Sequence, residues 1–185
     1  NLLDLENADI KNDNTGVLVN NYLKSNTNKN VYACGDVSSK SLPLTPLSGL
    51  QGYIVGNNIL KNNSKKFSNP LVPSVVFTNP NLATVGLTEE KAKEQYNAIK
   101  VFKGDASHFY NAKKENADLY AYKIIVNDKT KVIVGAHLLS AEANECINIF
   151  SMAIHQKMTT KEFKKLIFTY PSFASDLKSM LKDSD

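Results

Sequence analysis

The chain has 185 residues, enough for one ordinary domain or for one domain with a piece of another. Its composition, 42% hydrophobic and 22% charged, is typical of a soluble globular protein. The formal net charge of +4 is modest and the lysines lie among acidic residues, which argues against a nucleic-acid partner. No apolar run approaches the roughly 18 residues that a membrane span needs, and no signal peptide opens the chain.

The cysteines and histidines indicate neither a disulfide framework nor a metal site. Cys34 and Cys146 are far apart and lie on unlike elements, so we expect free thiols in a reducing, cytoplasmic environment. The histidines show no metal-ligand spacing with one another or with the cysteines, so no metal is predicted. The chain does not begin with Met, and we expect it to be a piece of a longer protein.

The first part of the chain centres on a short predicted strand at residues 31–34. It follows a stretch rich in Asn and Asp in which residues 16–19 form another short strand candidate. The strand stops at Gly35 and presents Asp36 at the end where ligands gather in open α/β sheets. A glycine there permits close approach of a ligand, and a carboxylate can accept hydrogen bonds from a sugar or polyol. An ordinary turn is the alternative interpretation of the same residues.

A helix is expected from Leu47, with an apolar face at spacings of three to five residues formed by Leu47, Leu50, Ile54 and Ile59. Three glycines on the same helix indicate close packing against a sheet: Gly49, Gly52 and Gly56. The polar stretch that follows, residues 61–70, predicts a domain boundary.

The second part of the chain predicts an α+β fold, an antiparallel sheet with helices on one side. Strands are expected at residues 72–78, 99–102, 119–126 and 132–139, the last two as a hairpin. Helices are expected at residues 88–96 and 141–157, after the capping box at 159–162, and at 173–181. The first part, by contrast, is typical of a segment of an α/β domain without its partner strands.

Taken in order, these motifs resemble the flavin-dependent pyridine nucleotide–disulfide oxidoreductases, most closely their glutathione reductase and mercuric reductase branch. Residues 31–37 (Val-Tyr-Ala-Cys-Gly-Asp-Val) are similar to the family's second FAD motif, and residues 44–46 (Leu-Thr-Pro) to the step near the flavin ring. Residues 73–80 (Pro-Ser-Val-Val-Phe-Thr-Asn-Pro) and 84–89 (Thr-Val-Gly-Leu-Thr-Glu) resemble the opening of the dimerisation domain. Residues 134–137 (Val-Gly-Ala-His) resemble its hairpin arm.

The resemblance implies a domain organisation and a set of cofactor-binding residues. Residues 1–66 would be the C-terminal segment of an FAD-binding domain, and residues 70–185 the dimerisation domain. Asp36 matches the aspartate that binds the ribityl hydroxyls of FAD, and Thr45 the residue whose amide nears the pyrimidine edge of the flavin. The cofactor-binding positions implied are Gly35, Asp36, Thr45 and Pro46.

The chain departs from the family pattern near its C-terminus. Thiol–disulfide members carry His-Pro followed four residues later by Glu, a dyad that reaches across the dimer to the partner's redox cysteines. Here Tyr170 precedes Pro171, Ser175 stands at the Glu position and Asp176 is one residue late. A tyrosine titrates near about 10 and a histidine near about 6.5, so Tyr170 is a poor base at neutral pH. We therefore predict no histidine-assisted disulfide reduction, with Tyr170 and Asp176 as the altered catalytic positions.

Two smaller features accompany this change. The threonine usual ten residues before the motif's aspartate is replaced by Asn26, with Thr27 one step away. The peptide bond between Tyr170 and Pro171 is predicted to be cis, as in the family motif, although cis X–Pro bonds are only about 5–6% of the total in folded proteins.

Two functions follow from these expectations. The first is the C-terminal part of an FAD- and NAD(P)H-dependent oxidoreductase that acts as a homodimer, with an interface from the helices at 141–157 and 173–181. The chain alone would bind little FAD and be inactive, because it carries no Gly-x-Gly-x-x-Gly motif, no NAD(P)-binding βαβ unit and no redox cysteine pair. The second is a structural homodimerisation module without activity of its own. A third hypothesis is a generic α+β domain with no inherited role. The sequence does not identify an electron acceptor.

Overall fold

The computed structural model describes residues 3–182. The chain forms two compact units, Asn1–Pro70 and Leu71–Asp185. The described part contains no helix that is both long and apolar enough to cross a membrane.

The first unit contains little sheet. Strands β1 (Asn12–Asp13) and β2 (Gly16–Val17) pair antiparallel, so the strand expected at residues 16–19 is only two residues long. The strand expected at residues 31–34 is wrong. Tyr32 makes a single bridge to Lys24, and a 3-10 turn, Gly35–Val37, follows at once. A strand is defined by a ladder of paired neighbours, and this segment has one such bridge.

Helix α1 (Thr45–Leu60) begins two residues before the predicted start. Pro46 is favourable in a first turn, where its missing N–H leaves no helical bond unmade. The buried face was predicted incorrectly, because Leu50 and Ile59 are 42% and 61% exposed. The residues that α1 buries instead alternate apolar and polar side chains along one face: Leu47, Gln51, Ile54 and Asn58.

The glycines of α1 do not pack as predicted. A Cβ built on each of them would meet no atom of the described chain within 4 Å: Gly49, Gly52 and Gly56. The helix is therefore held to the first unit by its other face. There, the Asn58 amide donates to the carbonyls of Tyr22 and Lys65 and accepts the Lys65 N–H.

The second unit is built on one antiparallel sheet of five strands in the order β3-β4-β7-β6-β5. The strands are β3 (Ser74–Val76), β4 (Asn81–Gly86), β5 (Ile99–Asp105), β6 (Ala121–Asn127) and β7 (Ile133–Ser140). The predicted hairpin is confirmed as β6 and β7, in register from Ala121↔Leu139 to Ile125↔Gly135. β4 was not predicted, and β5 continues further than expected. The predicted fold class, α+β with an antiparallel sheet, is confirmed.

The long helix α4 (Ala143–His155) packs on one face of the sheet, as its apolar spacing predicts. Its side chains join the main core with residues of β4, β6 and β7: Ala83, Val85, Ile124, Ala136 and Leu138. Phe150 of α4 stacks on Phe163 of α5 (Thr160–Lys165), with ring centroids 5.1 Å apart. The predicted capping box of Thr159 and Glu162 starts α5.

Three shorter helices complete the unit. The predicted N-cap Thr88 starts α2 (Glu89–Gln95), whose Ala92 packs with Ile125 and Val134 in a small second cluster. α3 (Tyr110–Lys114) was not predicted. The helix expected at residues 173–181 is wrong in extent, because α6 (Phe173–Asp176) stops after one turn and a 3-10 turn, Ser179–Leu181, follows.

Strands β4 and β7 pair at two glycines that leave no room for a Cβ. Gly86, at φ +78°, is paired with Gly135. A Cβ on Gly135 would lie 2.1 Å from the Leu87 carbonyl oxygen, and one on Gly86 2.4 Å from the Val134 oxygen. Both atoms met are backbone atoms, so neither clash can be relieved by a side-chain rotation.

We predict that Gly135→Ala lowers the free energy of unfolding by about 2 kcal/mol or more, since overpacking against backbone forces the strands apart. Urea unfolding of the 185-residue chain measures this. Gly52→Ala is the matched control: it adds the same methyl group to a helix with open space around it, and should raise the unfolding free energy by about 0.5–1 kcal/mol. Equal effects of the two changes would contradict the prediction.

Candidate functional site

A buried glutamine joins the predicted FAD motif to α1. Gln51, with no exposed surface, accepts the Gly35 N–H at 2.8 Å through Oε1 and donates to the Lys40 carbonyl at 3.2 Å through Nε2. Both ends of the loop from Gly35 to Lys40 are thereby fixed to the same helical side chain. An amide at this position supplies the donor and the acceptor together, which neither a carboxylate nor an ammonium can do.

Asp36 lies in the 3-10 turn with its carboxylate exposed. One oxygen accepts a hydrogen bond from Ser48 of α1, with Oγ at 3.3 Å. Because a carboxylate offers about four acceptor positions, Asp36 retains the capacity to accept several hydroxyl donors. Gly35 has φ +69°, and a Cβ there would meet the Ser48 oxygen at 3.1 Å, so glycine suits both the backbone and the space.

The other two predicted cofactor residues start α1. Thr45 and Pro46 are both exposed. The Leu44 carbonyl accepts hydrogen bonds from the N–H groups of Leu47 and Ser48. Pro46 has no N–H group. The N–H of Thr45 therefore remains as the first-turn donor that takes part in neither of these bonds. The Ser48–Asp36 bond brings the start of α1 beside the acidic turn. A carboxylate acceptor beside a helix start fits a ligand that carries a polyol chain next to a hydrogen-bond acceptor.

The altered dyad lies in the second unit, with Tyr170 in the segment between α5 and α6 and Asp176 at the end of α6. The predicted cis peptide between Tyr170 and Pro171 is confirmed, and a second cis bond joins Asn79 to Pro80. Tyr170 is 71% exposed, its ring lies 6.0 Å from that of Tyr110, and its hydroxyl has no hydrogen-bond partner within residues 3–182. This side chain is free to contact a further molecule.

The side chain of Asp176, by contrast, is buried inside the second unit. It is 9% exposed, both carboxylate oxygens lie 3.1 Å from the Asn111 Nδ2, and the Tyr120 hydroxyl also bonds to it. Burial raises the pKa of Asp176, while the hydrogen bonds from Asn111 and Tyr120 oppose that rise. Ser175, at the position of the family glutamate, closes the capping box of α6 with Ser172. The hydrogen bonds of Ser175 and Asp176 therefore go to other groups of the second unit and not to Tyr170.

Three residues that organise these sites were not predicted: Gln51, Asn111 and Tyr120. A polar residue on the buried face between Leu47 and Ile54 was the available signal for Gln51. Asn111 and Tyr120 lie 65 and 56 residues before Asp176, and no local pattern links positions so far apart.

Comparison with known proteins identifies the second unit. The family model described as the pyridine nucleotide-disulphide oxidoreductase dimerisation domain matches residues 72–181. The chain therefore belongs to the pyridine nucleotide–disulfide oxidoreductase family, as its motifs predict.

Individual relatives are similar over most of this chain. A Staphylococcus aureus protein described as an uncharacterized 19.7 kDa protein in a mercuric resistance operon is 45% identical over 97% of this chain and 100% of its own length. A mercuric reductase of Staphylococcus aureus is 34% identical over 95% of this chain, which spans 32% of that enzyme. The HOCl-induced flavoprotein disulfide reductase RclA of Escherichia coli superposes with a TM-score of 0.83 at 32% identity, covering 97% of this chain and 42% of RclA. The chain thus spans the whole of the first relative and about a third of the mercuric reductase.

The raised pKa of Asp176 predicts a pH-dependent contribution to stability. Because the carboxyl binds its proton more tightly in the folded chain, its contribution is full below the unfolded pKa of about 3.9 and is lost as pH rises through the folded pKa. The unfolding free energy of the wild type relative to Asp176→Asn should therefore fall between pH 4 and pH 7. Urea unfolding across this range measures it, with the exposed Asp118→Asn as the control. A relative stability that rises with pH would contradict the prediction.

Proposed function

We propose that this chain is the C-terminal part of a flavin-dependent NAD(P)H oxidoreductase, in which the second unit forms a homodimer interface and the loop after Gly35 forms part of the FAD site. The observation that carries the proposal is the match of residues 72–181 to the family's dimerisation domain. The superposition on RclA, a flavoprotein disulfide reductase, supports it. The two free cysteines support a cytoplasmic location.

The dimer interface is supported by apolar side chains that the second unit leaves in solvent. Met152 on α4 is 62% exposed, Phe77 after β3 79%, and Ile167 after α5 94%. Single exposed apolar residues are normal on a monomer, but several large ones on one small unit are typical of a surface that another molecule covers. We assign the interface to α4 and the C-terminal segment, which carry two of the three.

FAD is assigned to the first unit because its donors and acceptors suit the cofactor. Asp36 would accept from the ribityl hydroxyls, the Thr45 amide would donate to the flavin edge, and Gly35 and Pro46 would leave room beside them. When bound, the flavin supplies two-electron transfer from NAD(P)H. The chain alone carries no Gly-x-Gly-x-x-Gly motif for the pyrophosphate, so we expect weak FAD binding and no activity without the rest of the enzyme.

The role proposed for Tyr170 follows from the acid–base and hydrogen-bonding properties of its phenol hydroxyl. A phenol hydroxyl can donate a hydrogen bond, but it is a weaker general base than the imidazole that it replaces. The carboxylate of Asp176 is committed to Asn111 and Tyr120, which supports a role in holding the segment rather than in activating Tyr170. We therefore propose that the parent enzyme does not reduce disulfides with a histidine-type base.

A homodimerisation module without catalytic activity is the second candidate. One observation favours it: the relative of 19.7 kDa is matched over its whole length by a chain of this size. Both candidate functions require a dimer. They are distinguished by whether the longer protein binds flavin.

We predict that the 185-residue chain is a dimer in solution, with twice the chain mass of 20.4 kDa by light scattering. Met152→Lys should shift the mass toward the monomer, because a charge placed in a desolvated interface is costly. Met152→Leu keeps the apolar surface and serves as the control. A monomer mass for the wild type at all concentrations would remove this part of the proposal.

We further predict that the longer protein containing this chain purifies yellow, is bleached by NADPH and turns over oxidised glutathione far more slowly than a glutathione reductase. Its pH–rate profile should lack a transition near about 6.5, because the base position holds tyrosine. Tyr170→His should introduce that transition, and Tyr170→Phe should not. A colourless protein would favour the assembly module, and glutathione turnover at the rate of a true reductase would defeat the assignment of Tyr170.

A further inference from the structure

A cavity of about 610 Å³ opens on the second unit where α3, the start of α4 and residues 171–174 meet. Part of its lining is apolar, with Ile149, Pro171 and Phe173 among the walls. Apolar walls of this kind favour an organic ligand, because they bury its apolar surface. They cannot replace the water molecules that an inorganic ion would lose.

The charged residues of the cavity are unbalanced. Three carboxylates line it, those of Glu115, Glu142 and Glu145. Within the described chain, Lys114 supplies the one positive charge of the lining, and its ammonium lies 3.5 Å from the Glu115 carboxylate. Two acidic side chains therefore remain without a cationic partner in the lining, and a positive ligand would complement them.

A buried amide adds a neutral acceptor. Asn111 is 3% exposed, and its Nδ2 donates to the Ser172 carbonyl at 2.9 Å and to Asp176 at 3.1 Å. Its Oδ1 takes part in no hydrogen bond within residues 3–182. Asn111 is also one of the residues that line the cavity. An unpaired acceptor on an otherwise buried side chain calls for a donor from outside.

The thiol of Cys146 lies near the same carboxylates, those of Glu142 and Glu145. Cys146 lines the cavity at 4% exposure, and burial together with Glu142 raises its pKa to about 12. The thiol is therefore neutral and adds no charge. Burial is the larger cause of this shift, and the carboxylates of Glu142 and Glu145 add to it.

We infer that this cavity binds an organic cation, an ammonium group carried on a short apolar body. The ammonium lies among Glu142, Glu145 and the Asn111 oxygen, and the apolar body lies against Ile149 and Phe173. Two sources present this chemistry: a free amine, or a lysine side chain of a second copy of the chain. The inference goes beyond the proposed oxidoreductase function and does not rest on it.

The experiment is a calorimetric titration of the 185-residue chain with benzylammonium, and with benzyl alcohol as its neutral counterpart. We expect one ammonium per chain, no detectable binding of the alcohol, and affinity that falls with added salt. Replacing both carboxylates, Glu142→Gln with Glu145→Gln, should weaken binding roughly tenfold to a hundredfold, as expected for loss of charge-assisted hydrogen bonds. Glu94→Gln removes the same charge from exposed α2 outside the cavity and should leave binding unchanged.

A second variant separates loss of the site from loss of the fold. Ala141 is exposed and lines the cavity, so Ala141→Phe fills it while every carboxylate is kept. It should abolish amine binding with urea unfolding unchanged within about 0.5 kcal/mol, the usual range for surface substitutions. If a lysine of a second copy is the occupant, added benzylammonium and the double glutamine variant should each shift the light-scattering mass toward the monomer. The inference is overturned if the amine gives no heat and leaves the mass unchanged, or if benzyl alcohol binds as tightly as the amine.

Discussion

The second unit depends above all on the apolar layer between α4 and the middle strands of its sheet. Ile147 and Phe150 are fully buried against a surface that includes Ile124 and Leu138. Burying one such side chain contributes about 1.5–3 kcal/mol, whereas a typical hydrogen bond contributes about 1 kcal/mol net. The layer therefore decides where α4 lies. Since the cavity and the Asn111–Asp176 contacts are built against α4, their geometry follows from this packing.

The polar side chains of the second unit fix the positions of its segments, whereas apolar burial supplies most of the folding free energy. Asn111 connects α3 to the segment after Pro171 through two acceptors, the Ser172 carbonyl and the Asp176 carboxylate. Tyr120 bonds to the same carboxylate from the sheet side. A buried carboxylate with neutral donors alone costs free energy to ionise, but removing any one partner would leave another polar group unsatisfied. The arrangement fixes the chain on which Tyr170 is presented to solvent.

The sequence predicted the elements whose signals are local. The β6–β7 hairpin, α4 and the Thr159–Glu162 capping box each follow from residues within a few positions of one another. The strand at residues 31–34 failed for the opposite reason, because a strand exists only when neighbours pair with it. The buried face of α1 failed because Gln51 and Asn58, polar by composition, are buried through hydrogen bonds to distant backbone groups.

The same contrast applies to the candidate sites. Asp36, Thr45 and Tyr170 were predicted because each lies in a short family motif, and the structure shows their exposure and partners. The Asn111–Asp176 contact joins positions 65 residues apart, and only the fold brings them together. Motifs located the residues that face outward, while the side chains that hold them in place had no signature of their own.

The exposed glycines of α1 have a consequence for the motion of the loop from Gly35 to Lys40. Each glycine costs a helix interior about 1 kcal/mol relative to alanine, and three of them occur in sixteen residues. Water reaches the backbone on that side, so the helix relies on the attachments of its opposite face, chiefly those of Gln51 and Asn58. Local opening of the first unit would therefore begin at α1, with amide hydrogen exchange there faster than in α4. The loop that carries Asp36 is tied to the helix that opens first.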